Sequence, residues 1–138
     1  MEKEVELSPT REVLFEGFTS EQILSLPKQT IEQLVLLNEP IVFRAGSAVL
    51  LGCFKAESER LVMELAEIEG GGEGVLPSVA SLAKRYARLN GLAAVEWIVH
   101  AVSCARPNLR LRRVLELRGF AVKKMADGTE AYHLLDPV

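Results

Sequence analysis

Glu69-Gly70-Gly71-Gly72-Glu73-Gly74-Val75 joins an apolar run that reads as a strand, Arg60–Ile68, to a run that reads as a helix from Val75 onward. A strand, a glycine-rich turn and a helix N-terminus leave main-chain N–H groups free to cradle a phosphate. Glycine serves such a turn because it accepts positive φ and carries no Cβ to hold a ligand off the backbone. The same cluster taken alone also reads as a flexible surface turn.

Downstream of the turn, Val75, Leu76, Val79, Leu82, Ala83, Tyr86 and Leu89 recur on one helix face, which Asn90-Gly91 closes. Ala94–Val102 is nearly continuous apolar sequence, as in a strand buried on both faces, and its polar exceptions Glu96 and His100 leave the same face. Pro107-Asn108 opens a second helix with Leu109, Leu111, Val114, Leu115 and Leu117 inside, and Gly119 stops it. Phe120–Ala126 and Thr129–Leu135 flank Asp127-Gly128, a hairpin signal.

Upstream, Ile41–Ala45, Ala48–Lys55 and Arg60–Ile68 read as a three-strand antiparallel meander. In its third strand Leu61, Met63 and Leu65, with Glu67 following in phase, face one way; Val62, Glu64, Ala66 and Ile68 face the other. Two short helices precede it, about 20–26 after a Thr19 or Ser20 cap and 28–37 after Pro27, ended by Asn38 and Pro40. Residues 1–18 read as an irregular arm with a short strand at Glu12–Phe15. The pattern predicts one α+β domain over 1–138: a mixed, mostly antiparallel sheet with helices on both faces and one parallel crossover.

With 138 residues, 49% hydrophobic and 25% charged, the chain suits a single core. A formal net charge of −3 argues against sequence-independent nucleic-acid binding, although Arg106–Lys124 is locally basic. No window approaches the roughly 20 apolar residues of a membrane helix, and the Met1–Glu6 start lacks a signal-peptide core, which points to the cytoplasm. Cys53 and Cys104 suggest neither a metal site nor a disulfide framework and read as small buried hydrophobes.

From about Pro40 to the end the chain resembles the GNAT superfamily of acyl-CoA N-acyltransferases. Glu69-Gly70-Gly71-Gly72-Glu73-Gly74 fills the frame of the family's R/Q-x-x-G-x-G/A loop, with Gly72 and Gly74 at its two glycines. Asn108 and Gly119-Phe120 stand where the family has an Asn early in the next helix and a Gly-Phe pair at its end. The resemblance implies a variable part over 1–39 and a family-like core over 40–138. It also implies acetyl-CoA or another acyl-CoA as cosubstrate, with no metal. The cosubstrate would lie against Glu67, Ile68, Gly70, Gly71, Gly72, Glu73, Gly74, Val75 and Asn108, its thioester in a gap between two splayed parallel strands. Two positions depart from the pattern: Glu69 replaces Arg or Gln, and Leu115 stands where many members have a proton-donating Tyr.

Attack of an amine on a thioester needs a base for the ammonium and a donor for the carbonyl. Glu64, Glu96 and His100 are the candidate bases, and backbone N–H groups near Glu67 or Ile68 the candidate donors. An apolar-strand histidine also reads as a bonded core residue, and Glu96 must reach water or pair with Arg or Lys. His133 reads as a strand-surface residue. The partners implied are an acyl-CoA, an amine on a small molecule or protein, and a second copy of the chain completing the acceptor wall; the alternative is a non-catalytic relative that binds acyl-CoA or a protein.

Overall fold

The computed structural model describes residues 13–15, 18–36, 38–69, 75–102 and 109–138. Among them the chain runs β1 (Val13–Phe15), β2 (Phe18–Thr19), α1 (Ser20–Ser25), α2 (Lys28–Leu34), β3 (Ile41–Ala45), β4 (Ala48–Glu57) and β5 (Arg60–Glu69). It continues through α3 (Val75–Leu89), β6 (Ala94–Val99), α4 (Leu109–Leu117), β7 (Ala121–Lys124) and β8 (Glu130–Pro137). The strands form one sheet in the order β2-β1-β3-β4-β5-β6-β8-β7. Among the described residues only β5 and β6 pair in parallel, joined through α3, so the fold is mixed α+β and mostly antiparallel.

Local signals explain most boundaries. Thr19 caps α1 reciprocally: its Oγ1 accepts the Gln22 N–H at 3.2 Å while its own N–H donates to Gln22 Oε1 at 2.9 Å. Gly91, at φ 69°, ends α3 in a Schellman turn in which Leu92 N–H donates to Ala87 O at 2.9 Å. The second helix stops at Leu34 rather than 37, and the Asn38 N–H is instead taken by Phe54 O of β4 at 3.0 Å. β6 likewise ends at Val99, three residues before the apolar run does. The hairpin predicted around Asp127-Gly128 forms, with a longer loop: Met125 N–H donates to Thr129 O at 2.7 Å around three residues, and Gly128 takes the positive φ.

The β4–β5 turn is the exception to good local chemistry. Ser58 and Glu59 both adopt positive φ, 52° and 61°, at the two positions where a tight hairpin favours Asn-Gly. A left-handed non-glycine residue costs about 1–2 kcal/mol. The double change Ser58→Asn, Glu59→Gly is expected to stabilise the protein by about 1 kcal/mol, read as a higher urea midpoint at unchanged slope.

The core lies on one side of the sheet. Phe43, Leu50, Phe54, Leu65, Val95 and Val99 are all but fully buried with Val79 and Leu115 from the helices. Phe43 and Phe54 meet edge to face, ring centroids 5.3 Å apart. Polar contacts among the described residues tie α3 and α4 to this face and α1 to α3. Arg85 of α3 pairs with Glu21 of α1 at 2.6 Å, Lys84 of α3 with Asp136 of β8 at 3.3 Å, and Tyr132 of β8 donates to Glu116 of α4 at 3.0 Å.

Helix faces are narrower than predicted. Leu89 is 68% exposed and Leu117 79% exposed, whereas Ser78 and Ala87 are buried. On α4 the stripe Leu111, Val114, Leu115 turns inward; Leu109 lies off it and is exposed.

One irregularity sets the geometry of the site. The β4–β5 register shifts between Leu51 and Gly52, because Leu51 pairs with Glu67 while Gly52 pairs with Leu65, leaving Ala66 as an extra residue on β5. The bulge resets the alternation, so Ile68, opposite Leu50, returns to the helix-covered face of Leu65 rather than to that of Glu64. The facing predicted for Glu67 concerns a side chain outside the described ones. Gly52 permits the close approach: a Cβ there would sit 2.9 Å from the Glu64 carbonyl oxygen and 2.9 Å from the Phe54 ring.

Candidate active site

The face of the sheet opposite to Leu65, Val95 and Val99 carries polar residues picked out in the sequence. Cross-strand registers set Cys53 opposite Glu64, Glu64 beside Ile98, and Ile98 opposite His133; the adjacent row sets Val62, Glu96 and Leu135 side by side. Glu64 and His100 meet: Glu64 Oε2 lies 2.6 Å from His100 Nε2. An ionised carboxylate only accepts, so in the neutral imidazole this contact puts the proton on Nε2 and leaves Nδ1 its lone pair. A charge-assisted bond of this kind is worth about 1.5–3 kcal/mol and fixes the ring.

Glu96 is not part of that pair. Its Oε1 lies 3.1 Å from Arg60 and its Oε2 2.9 Å from His133 Nε2, so both oxygens are engaged by neighbouring strands. Pairing resolves the cost of a mostly buried carboxylate, which would otherwise reach several kcal/mol. His133, read from the sequence as a surface residue, is thus half-buried and bonded. No local signal identifies it, because its partner stands 37 residues away and depends on the β6–β8 register.

The parallel pair β5–β6 is in register from Arg60–Ala94 to Leu65–Val99 and is closed by His100 N–H donating to Leu65 O at 2.9 Å. There the strands part. β6 ends in a three-residue turn centred on His100, with Ala101 N–H donating to Val99 O at 3.0 Å, while Ala66–Glu69 of β5 run on, paired among the described residues only with β4. The Glu64–His100 pair therefore sits at the mouth of the parting.

Cys53 is half-buried rather than buried, and burial first, then the Glu64 carboxylate, push its thiol up, away from thiolate chemistry. Asp127 at the β7–β8 turn accepts from Thr129 Oγ1 at 2.6 Å and Thr129 N–H at 3.0 Å. Those bonds hold its carboxyl below the ordinary range, and the charge of His100 adds a smaller contribution in the same direction.

Of the predicted ligand-binding positions, Ile68 is half-buried at the end of β5. Gly70, Gly71, Gly72, Glu73, Gly74 and Asn108 lie outside the described residues, as do Cys104 and the side chains of Glu67 and Val75. The two ends of the glycine stretch are defined: β5 closes at Glu69 and α3 opens at Val75, so a strand precedes it and a helix follows it. Leu115, where the resemblance would put a proton-donating Tyr, is 0% exposed. No group of three or more metal-ligating side chains occurs among the described residues, and none of their helices is long and apolar enough to cross a membrane.

No protein-family model matches the chain, and no curated protein matches it. The solved structures similar to the chain include the following two. One is an acetyltransferase of the GNAT family from Listeria monocytogenes 4b F2365, at 11% identity and TM-score 0.41 over 78% of this chain and 70% of that one. The other is Ard1 from Thermoplasma volcanium, at 13% identity and TM-score 0.39 over 91% of this chain and 96% of that one.

Proposed function

We propose that the protein is an acyl-CoA-dependent N-acyltransferase that moves an acetyl group to a primary amine by direct attack. The observation that carries this reading is the Glu64–His100 pair, 2.6 Å apart, at the point where the parallel strands β5 and β6 separate. An acyl-CoA would fit along that parting. Main-chain N–H groups of 70–75, at the head of the 15-residue helix α3, would face its diphosphate, with Glu67, Ile68 and Asn108 beside it. The thioester supplies an activated carbonyl.

The chain's own residues then have defined tasks. His100 Nδ1 takes the proton of the acceptor ammonium, and Glu64 stabilises the imidazolium that results. The amine nitrogen bonds to the acyl carbon, the C–S bond breaks, and CoA leaves as a thiolate that water protonates, Leu115 having no proton to give. Main-chain donors of β5 beyond Leu65 polarise the carbonyl oxygen. With both oxygens of Glu96 held by Arg60 and His133, we assign the base to His100.

The buried Leu115 favours a second reading, a protein of this architecture that binds acyl-CoA without turnover. Titration with acetyl-CoA, followed by a free-thiol assay over a panel of amines, separates the two. We expect saturable binding with thiol release, and Gly72→Asp to weaken binding about tenfold or more by placing a carboxylate in the diphosphate cradle. Binding without release supports the second reading; no binding of any CoA species rejects both.

A further inference from the structure

Arg112 of α4 reaches back to the end of β6: its Nε donates to Ala101 O at 2.6 Å and its Nη2 to Val102 O at 2.8 Å. These are the carbonyls immediately after the turn centred on His100, where the chain has left β5. In a longer parallel pairing, carbonyls of this segment would serve as ladder acceptors. A guanidinium offers two parallel donors in one plane, stronger than neutral amides, so the fork competes well for them. The next turn of the same helix face is also anchored to the sheet. Glu116 stands one turn along α4 and accepts the Tyr132 hydroxyl at 3.0 Å, and Tyr132 pairs with Val99, the last residue of β6.

We propose that Arg112 is a positioning residue: it holds the 101–102 carbonyls on α4, keeps β6 from continuing along β5, and so fixes His100 against Glu64. The purpose of the parting rests on the acyl-transfer reading, but the positioning itself does not. The molecule contains its own reference, because the His133–Glu96 pair lies where β6 and β8 are in full register and has no hydrogen bond in common with the fork.

The test follows the ring-nitrogen and ring-proton resonances of His100 and His133 by NMR in the full chain, without CoA. In Arg112→Met, and in Arg112→Lys, which keeps the charge but loses the planar fork, the His100 resonances are expected to shift while those of His133 stay. Adding guanidinium ion to the methionine variant is expected to return the His100 signals part of the way. Shifts of both histidines together, of neither, or of His133 alone would overturn the proposal. Failure of both variants to fold would also overturn it, making Arg112 a general stabilising residue. None of these results depends on whether acyl transfer is found.

Discussion

Replacing His100 with alanine is expected to lower amine turnover by about 100- to 10,000-fold while leaving acetyl-CoA affinity within a factor of about two, the range for loss of a positioned general base. The imidazole lies beyond the last β5–β6 link, so its removal breaks no main-chain bond of the sheet. Glu64→Gln keeps an acceptor for Nε2 and loses its charge. A charge-assisted bond exceeds a neutral one by about 1–1.5 kcal/mol, so a loss of about tenfold is expected. Steady-state thiol release with a fixed amine, alongside titration of acetyl-CoA, measures both. Turnover in His100→Ala equal to that of the parent would remove the pair from the mechanism.

The largest expected effect on stability comes from Phe54→Ala. Phe54 is 0% exposed, packs edge to face on Phe43 and covers Gly52 opposite the bulge. Truncation of a buried phenylalanine costs about 3–5 kcal/mol, against about 5–15 kcal/mol for a whole domain, and should lower the melting temperature by about 10 °C. Leu117→Ala is the matched control. At 79% exposure it should change stability by less than about 0.5 kcal/mol. A urea series on both proteins decides, and similar midpoints for the two would contradict the core as described.

What could be read from the sequence was governed by range. The meander, the crossover helix, its Gly91 cap and the final hairpin are each announced by residues within a few positions of the feature, and each forms. Apolar sequence outlasts pairing at the end of β6: Ala101 and Val102 look like strand, but their carbonyls belong to Arg112. The inside of α4 was overfilled because five aliphatic residues in nine exceed what one stripe can bury.

For the candidate site, residue type pointed to Glu64, Glu96 and His100, yet type alone does not say which of them touch. That depends on register, which pairs Glu64 with His100 and sends Glu96 to Arg60 and His133. The bulge at Ala66 was invisible because alternation can be counted through it without any residue looking out of place. The glycine stretch itself lies outside the described residues, so its role stands on the proposal above.

Ala66 gives β5 two parities. Anyone grafting a probe, a cross-linker or a new ligand onto the face of Glu64 must count in even numbers before it, and Glu69 falls on that face after it. Removing that single residue would restore plain alternation and leave Ile68 opposite Leu50, so the strand would keep its apolar register and lose only its kink at the mouth of the parting.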